Sequence, residues 1–428
     1  MDLRYKRYID YYKKNYLNSS PFGHVLNHHT FKIVKTYLMD VKKIIYIHTG
    51  EWPSSSPSTV FVTGTAYGLA LHGPTVLIIR NNSIKPTPEI FGKLTGTDIP
   101  EQLEIERVGY GGKTPGHTGF FKEAMKCVAI HAKRGQAGAV ITRNIGFLPY
   151  LTYIQLRYKI PCYFETHDFY SDLRLRTDLK KTPRIFKNHF FEQIFLPRLD
   201  GIICLTDTQK ELFQRYYPFQ RVMTARSGLI RVERPETHRE KRVCYVGSLD
   251  AHKGLGTVLS ALTHTVDREL KISVIGGKNE HEIRDFMNLA HLMGVEQRVL
   301  VSLWVHHSDI GHMLDRCIAG IVPLQDTPFN RYITSPLKIL DFFSRSLPVI
   351  GSDLPPVREY VKNGKHGILF MPDHPESLAE ALDHYVAGNM FEVMSPEVEI
   401  HAAQFLWYNR GRKILNFIHD TSRPDVEK

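Results

Sequence analysis

Short apolar, β-rich runs alternate along this chain with longer segments of mixed composition. From residue 42 onward the runs read KIIYIH, TVLIIR, GAVITRN, IPCYFET, DGIICLT, RVCYVG, LKISVIGG, RVLVSL, AGIVPL, LPVIGS and HGILF. They lack the polar and apolar alternation of a sheet with one wet face, and the segments between them are long enough for helices. The pattern predicts an α/β fold in which parallel sheets are covered by helices on both faces.

The length of the chain indicates more than one domain. It has 428 residues, of which 42% are hydrophobic and 23% charged, and this is more than one core normally serves. The segment SGLIRVERPETHREKR is charged, lacks a sustained apolar period and contains Pro235, as a linker would. We therefore predict an N-terminal extension, a first Rossmann-like domain, this linker, a second Rossmann-like domain and a C-terminal helix returning to the first domain, over 1–40, 41–226, 227–242, 243–395 and 396–428.

The cysteines and the apolar segments indicate in which cell compartment the protein resides. The five cysteines are scattered, without a C-x-x-C pair: Cys127, Cys162, Cys204, Cys244 and Cys317. This is typical of reduced core residues, so we expect no metal site. The most apolar region, NIGFLPYLTYIQL, is too short to span a bilayer, and MDLRYKRYIDYYKK lacks the apolar core of a signal peptide. We expect a cytoplasmic protein.

The formal net charge of +11 indicates a partner that carries phosphate. Nucleic acid, anionic lipid and a phosphorylated small molecule would each fit. No zinc-finger spacing, RNP-like motif or basic heptad region is present in the sequence, so we expect no nucleic acid. The stretch MDLRYKRYIDYYKKNY could lie on an anionic membrane surface as a basic, aromatic helix, or pack its tyrosines on the first domain, which is the commoner arrangement.

The stretch TSPLKILDFF predicts a helix with an unusual charge at its start. Ser335 is a good N-cap and Pro336 suits the first helical position. Lys338, in the first turn, is unfavourable beside the positive end of the helix unless an anion such as phosphate lies in front of it. Asp341, on the same face, could accept hydrogen bonds from a sugar diol; the alternative is a solvated ion pair, which would also involve Arg345.

The segment that begins with this helix carries a family resemblance. The block SPLKILDFFSRSLPVIGSDLPPVREYVKNGKHGILF, from Ser335 to Phe370, resembles the C-terminal signature of retaining nucleotide-sugar glycosyltransferases of GT-B fold. This family includes sucrose-synthase-like and phosphatidylinositol-mannosyltransferase-like enzymes. The resemblance implies two Rossmann-like domains that face a cleft, with the donor bound by the second domain. In this chain it implies donor contacts from Ser335, Pro336, Leu337, Lys338 and Asp341.

The start of the second domain resembles the same family. In RVCYVGSLDAHKGLGTVLSAL, Gly247 would let the backbone approach a ligand and Lys253 would place a charge on the donor diphosphate. Many members have an arginine directly after this glycine, whereas this chain has Ser248. Arg331, in the loop FNRYITSP, is the candidate to replace that cation.

A second departure concerns an acid pair. Many members carry a Glu-x7-Glu pair, and this chain has Ile333 at the first position and the shorter Asp341 at the second. Several branches of the family with the S-P-L-K version lack the first glutamate, so we expect an active enzyme. The alternative is a binding or scaffold protein that kept the fold and lost turnover. An epimerase of related fold would need an acid or base pair around the sugar, which we cannot place.

The first domain contributes weaker signals. In FETHDFYSDLR, His167 resembles the family's histidine that reaches the donor sugar from the acceptor side. Asp168 beside it, and Gly50 in the loop after the first strand, are candidate acceptor-side residues. A loop histidine and an aspartate are by themselves more often structural, and the serine run near Gly50 is equally consistent with a surface loop.

The resemblance implies a reaction and its partners. A sugar moves from a nucleoside diphosphate to an acceptor hydroxyl with retention of configuration, and His167, Lys253 and Asp341 are the candidate catalytic residues. No metal and no cofactor is expected beyond the nucleotide sugar, because stabilising the departing diphosphate is the main task. The acceptor would be a glycan, a lipid-linked sugar or a small molecule, and the protein would be cytoplasmic, with peripheral membrane contact left open.

Overall fold

The computed structural model describes most of the chain from residue 42 to residue 420. The described ranges are 42–54, 56–109, 115–176, 182–236, 238–250, 253–305 and 307–420. The predicted N-terminal extension lies outside them, as do the last eight residues of the predicted C-terminal segment.

Seven parallel strands form the first sheet of the described chain, in the order β3-β2-β1-β4-β5-β6-β7. The strands are β1 (Lys43–Trp52), β2 (Thr75–Asn81), β3 (Leu103–Val108), β4 (Ala137–Thr142), β5 (Cys162–Glu165), β6 (Gly201–Cys204) and β7 (Val222–Thr224). Helices connect them: α1 (Pro57–Ala70), α2 (Thr87–Thr95), α3 (His117–Lys133), α4 (Leu148–Tyr158), α5 (Pro183–Phe195) and α6 (Asp207–Tyr216). Strand order reverses between β1 and β4, and such a reversal is where open α/β sheets bind ligands.

Six parallel strands of the described residues form the second sheet, in the order β10-β9-β8-β11-β12-β13. The strands are β8 (Arg242–Val246), β9 (Lys271–Gly277), β10 (Val299–Leu303), β11 (Ala319–Val322), β12 (Val349–Ser352) and β13 (Gly367–Phe370). The helices of this part are α7 (Leu255–His264), α8 (Glu280–Leu292), α9 (His307–Leu314), α10 (Pro328–Tyr332), α11 (Lys338–Phe343), α12 (Pro355–Arg358), α13 (Pro375–Ala387), α14 (Met390–Ala402) and α15 (Trp407–His419). Here the order reverses between β8 and β11.

The predicted parallel α/β architecture is confirmed, and two strands that the apolar runs did not indicate lie at its edges. LEIERV forms β3 and VMT forms β7, the two outer strands of the first sheet. An edge strand is covered on fewer sides, so β3 carries partly exposed polar residues and does not read as a continuous apolar run. The central strands are apolar because helices cover both of their faces. Among the described residues, no helix combines the length and apolarity needed to cross a membrane.

The last helix packs on the first helix of the first sheet. Trp407 opens α15, is 4% exposed and belongs to the core between that sheet and α1. A Cβ on Gly411 would lie 2.0 Å from the carbonyl oxygen of Gly68 in α1, so only glycine permits this close approach. The chain therefore returns to the first sheet after completing the second.

Side chains also join the two sheets' regions near α6. The Glu359 carboxylate accepts from the backbone N–H groups of Asp207 and Thr208, at 2.8 and 2.9 Å, and caps the start of α6. Arg226 donates to the same carboxylate at 2.8 Å. Ile333 is 1% exposed and packs among residues of the first sheet's core, and its carbonyl accepts from Gln209 at 2.6 Å.

Candidate functional site

A first candidate site, which we call the lysine site, lies around the carboxyl end of β8. It consists of Tyr245, Gly247, Lys253, Lys338 and Asp341. The Lys338 ammonium lies 3.9 Å from the centroid of the Tyr245 ring. Gly247 has a φ of 141°, and a Cβ there would lie 2.5 Å from the Lys338 Nζ atom. The glycine thus makes room for the ammonium group where the strand order reverses.

The surroundings of the Lys338 ammonium group disfavour its positive charge. Burial and the nearby charge of Lys253 lower the pKa of Lys338 to about 7, while Asp341 acts in the opposite direction. Two cations that approach each other beside an aromatic ring repel unless an anion lies with them. A ligand with two or more negative charges would relieve this repulsion.

The predicted helix start at Ser335 is wrong. The helix α11 begins at Lys338 and has only six residues, with Leu337 in the cap position. The N–H of Leu337 donates to the Ser335 carbonyl and the N–H of Ile339 donates to the Pro336 carbonyl, so the chain makes tight turns before the helix. We expected the Ser335 hydroxyl to cap the helix, but in the described chain it accepts no hydrogen bond from an N–H group at the helix start. Positive charge at this site therefore comes from ammonium groups, and a helix end contributes little.

Arg331 does not join the lysine site. Its guanidinium forms an exposed ion pair with Asp326, and its Nη2 lies 2.5 Å from Oδ2 of that residue. The groups that affect the charge of Lys338 are Lys253 and Asp341. Ser248 follows Gly247 and uses its carbonyl to accept from the Tyr245 hydroxyl at 3.0 Å. The structure thus brings Gly247, Ser248, Lys253, Lys338 and Asp341 together and leaves Arg331 apart.

A second candidate site lies at the carboxyl ends of β1, β4 and β5. Glu165 ends β5, is fully buried and accepts from the Tyr46 hydroxyl at 2.9 Å and from Arg410 at 2.6 Å. Although burial raises the pKa of this carboxyl, Arg410 and His167 lower it more, to about 2. Glu165 is therefore ionised and binds groups from three different parts of the chain.

His167 is the partly exposed member of this cluster. Its Nε2 lies 3.1 Å from Oε1 of Glu165, and the edge of its ring packs against Phe61 at 4.6 Å between centroids. Burial and the charge of Arg143 lower the pKa of His167 to about 3, so the imidazole is neutral at physiological pH. A neutral imidazole that one carboxylate orients can exchange hydrogen bonds with a sugar hydroxyl through its other nitrogen.

The other first-domain candidates have local partners. The carboxylate of Asp168 bonds to Arg176 and to the Tyr170 hydroxyl, both at 3.0 Å. Gly50 lies against the ring of His48, because a Cβ there would be 2.7 Å from Nε2 of that histidine. Both residues lie beside the second site, where Asp168 holds Arg176 and Tyr170 and Gly50 leaves room for the His48 ring.

One cluster in the described residues offers metal-ligating atoms. Glu104, Glu106 and His131 present three such atoms within 4.8 Å of one another, on the edge strand β3 and on α3. His131 pairs with Glu106 at 3.1 Å, and Lys43 pairs with Glu104 at 2.5 Å. Both carboxylates therefore have partners within the described chain.

Sequence reasoning missed His48, Arg143 and Arg410. Each is a single polar residue within or beside an apolar run, and such residues carry no motif. Arg410 is 3% exposed, and a fully buried arginine in a predicted amphipathic helix indicates a partner without naming it.

Comparisons with known proteins address the second domain and the fold. Residues 240–387 match the family model described as "Glycosyl transferases group 1". An uncharacterized glycosyltransferase of Methanocaldococcus jannaschii is 22% identical over 181 residues, which are 41% of this chain and 44% of that protein. The match therefore spans less than half the length of this curated relative.

Solved structures match nearly the whole chain. Sucrose-phosphate synthase from Thermosynechococcus elongatus has a TM-score of 0.66 at 16% identity, covering 88% of this chain and 98% of that chain. HepE of Anabaena in complex with UDP and glucose has a TM-score of 0.64 at 12% identity, covering 89% and 100%. HepE has also been solved with UDP-glucose. At such identities the likeness shows the fold, and the predicted GT-B architecture is confirmed. The family model thus matches the second domain, and the structural neighbours show that the whole described chain has the GT-B fold.

Proposed function

We propose that the protein is a retaining glycosyltransferase that moves a sugar from a nucleoside diphosphate to an acceptor hydroxyl. The observation that carries this proposal is the approach of Lys338 and Lys253 beside Gly247, at the reversal point of the second sheet. A diphosphate would add two negative charges beside these two ammonium groups, where the Asp341 carboxylate supplies one. HepE of Anabaena holds UDP, which makes UDP the first nucleotide to test here.

The reaction needs stabilisation of negative charge more than it needs a strong base. The bond between C1 of the sugar and the diphosphate oxygen breaks, and the acceptor oxygen bonds to C1 on the same face. The acceptor proton passes to the departing phosphate oxygen, and the nucleoside diphosphate leaves. Lys253 and Lys338 lower the barrier by stabilising charge that develops on the diphosphate.

His167 and Asp341 have positioning roles in this scheme. His167 is neutral and rigidly oriented by Glu165, so it hydrogen-bonds the donor sugar from the first domain. Asp341 lies on α11 beside Lys338 and accepts from the ribose hydroxyls. Backbone groups of Ser248 and of the turn over Ser335, Pro336 and Leu337 complete the donor site.

The remaining elements of the proposal concern partners. The acceptor is a glycan, a lipid-linked sugar or a small molecule, bound near Gly50 and Asp168 on the first domain. The reaction uses no metal, and the protein works in the cytoplasm, where its basic N-terminal stretch could contact an anionic membrane.

An assay with a panel of nucleotide sugars tests this function. Purified protein is incubated with each donor and acceptor in the presence of EDTA, and release of nucleoside diphosphate is measured. We expect turnover with at least one donor, and the anomeric configuration of its product shows whether configuration is retained. Nucleotide binding without turnover across the panel would favour the inactive scaffold instead.

A further inference from the structure

His48 near the end of β1 is buried without a hydrogen-bond partner. It is 4% exposed, and neither ring nitrogen has a partner among the described residues. Buried polar groups are nearly always paired, because an unpaired one loses its hydrogen bonds to water and gains none in exchange. Burial and the nearby charge of Arg143 lower the pKa of His48 to about 3, so the ring is neutral and one of its nitrogens carries a proton.

Two arginines near His48 each have a buried nitrogen without a hydrogen-bond partner in the described chain. Arg143 follows β4, its Nη1 has no hydrogen-bond partner within the described ranges, and its guanidinium lies over Phe61 at 4.9 Å from the ring centroid. Arg80 lies in β2, and its buried Nε also lacks a partner in the described part of the chain. The charges of Arg143 and Arg80 both disfavour protonation of His48, so the two guanidinium groups lie near its ring.

The carboxylates around Arg143 are already bound to other groups. Glu165 and Asp168 both stabilise its charge through space. Glu165, however, accepts from Tyr46 and Arg410, and Asp168 bonds to Tyr170 and Arg176, as described above.

The acid nearest Arg80 is likewise engaged. Glu51 pairs with Arg80 at 3.2 Å and also accepts from Asn82 at 3.4 Å. The site therefore holds arginine N–H groups that no carboxylate of the described chain satisfies. Because the first sheet reverses its strand order between β1 and β4, His48 in β1 and Arg143 directly after β4 lie where open α/β sheets bind ligands.

We propose that the acceptor carries an anionic oxygen group, a carboxylate or a phosphate, and that Arg143 binds this group with His48 as a neutral hydrogen-bond donor. The proposal rests on the proposed function in calling the ligand an acceptor. Arginine suits this task because its planar guanidinium donates two parallel hydrogen bonds to a carboxylate or phosphate. Arg80 adds positive potential without leaving its pair with Glu51.

Binding of acidic and neutral sugars tests the proposal. The probes are glucuronate, glucose 6-phosphate and glucose, titrated at constant ionic strength and followed by protein NMR, with UDP present to occupy the lysine site. We expect both acidic sugars, or one of them, to bind at least tenfold more tightly than glucose. The stronger of the two identifies the group as carboxylate or phosphate.

Variants assign the binding to this site. Arg143→Gln should weaken binding of the acidic sugar at least tenfold, and His48→Asn should weaken it less. Arg157→Gln, at an exposed arginine on α4, is the matched control and should change nothing. If Arg143→Gln does not fold, as judged by urea unfolding, Arg143→Lys keeps the charge without the planar fork and should still lose part of the affinity.

The outcomes separate this proposal from the proposed function. Equal affinity for glucose and the acidic sugars, unchanged binding by the folded Arg143 variant, or displacement of the acidic sugar by UDP would each overturn the anionic acceptor. If UDP fails to bind while acidic sugars bind through Arg143, the donor proposal fails and the anion site stands. If UDP binds and the acidic sugars do not, the anionic acceptor is wrong and the donor proposal stands.

Discussion

Arg410, on the last described helix, donates to Oε2 of Glu165 at 2.6 Å, although 245 positions separate the two residues in the sequence. The same guanidinium donates to the backbone carbonyls of Ala225 and Arg226, where the chain leaves the first sheet. Glu165 in turn orients His167. The last described helix therefore supplies a cation to the buried carboxylate that orients the candidate catalytic histidine.

Removing this arginine should destabilise the protein strongly. Arg410→Met leaves the Glu165 carboxylate buried beside Tyr46 without its main cation. Breaking a buried pair by removing one partner costs about 3 to 5 kcal/mol of unfolding free energy. Urea unfolding measures this loss. Arg412→Met, at an exposed position two residues along the same helix, is the control and should cost less than about 1 kcal/mol. Similar losses in both variants would show that the Glu165 pair adds little.

A side chain at Gly247 should disturb the lysine site. The φ of 141° is one that L residues rarely adopt, and a Cβ would lie 2.5 Å from the Lys338 Nζ atom. Gly247→Ala should therefore cost about 1 to 3 kcal/mol of stability and displace the ammonium group, which weakens UDP binding. Calorimetric titration with UDP, after a melting curve confirms the fold, measures the effect.

Gly256 provides the matched control for this substitution. It lies in α7, no described atom outside its own helical turns lies within 4 Å of a Cβ built there, and its φ is not positive. Gly256→Ala should stabilise the protein by about 0.5 to 1 kcal/mol and leave UDP affinity unchanged. Normal UDP binding by a folded Gly247→Ala variant would remove Gly247 from the donor site.

UDP binding should weaken as the pH rises. The pKa of Lys338 is lowered to about 7 from the ordinary 10.5, so the free protein loses this charge above pH 7. Bound diphosphate favours the ammonium form and raises the pKa again, so binding takes up a proton. Between pH 7 and 9 the affinity should fall by up to about tenfold per pH unit.

Calorimetry in buffers of different ionisation enthalpy counts the protons taken up. Lys338→Met should bind UDP more weakly, with less proton uptake and a flatter pH profile. Without ligand, the unfolded chain binds more protons than the folded one between about pH 7 and 10.5. The contribution of Lys338 to the unfolding free energy therefore rises with pH across that window. No proton uptake at pH 8 in the unaltered protein would contradict the proposed role of Lys338.

Asp341 should matter for the donor more than for the fold. Asp341→Asn keeps the side-chain volume but removes the carboxylate that favours the charged form of Lys338 and that we propose accepts from the ribose hydroxyls. We expect a smaller rise in melting temperature on adding UDP, while Asp341→Glu retains that rise. A solvated ion pair would instead be worth only about 0 to 1 kcal/mol of stability. An undiminished UDP-induced shift in the Asn variant would leave Asp341 a structural residue.

The central strands could be read from the sequence because burial on both faces makes them continuously apolar. The edge strands β3 and β7 could not, since partial exposure removes that signal. The Ser-Pro pair at Ser335 predicted a helix start, but the backbone bonds of Leu337 and Ile339 form tight turns and delay the helix to Lys338. Local propensity does not reveal which carbonyl accepts each of these bonds.

The lysine site could be predicted as a set of residues because a family signature brings Gly247, Lys253 and Lys338 together. The charged core of the first domain could not, because its members come from distant parts of the chain and share no motif. Ile333 illustrates the same limit. It reads as a lost acid in the sequence, whereas in the structure it is a buried contact to the first sheet's core.

The central claim is that Lys253 and Lys338 hold the donor diphosphate. Calorimetric titration of UDP into the unaltered protein, Lys253→Ala and the control Lys241→Ala tests it most directly. Lys241 is an exposed lysine directly before β8, paired with Asp267 and Glu269 at 3.2 Å. Loss of a charge-assisted contact worth about 1.5 to 3 kcal/mol predicts one to two decades weaker binding for Lys253→Ala and no change for Lys241→Ala. Equal UDP affinity in all three proteins, or no UDP binding to any of them, would contradict the claim.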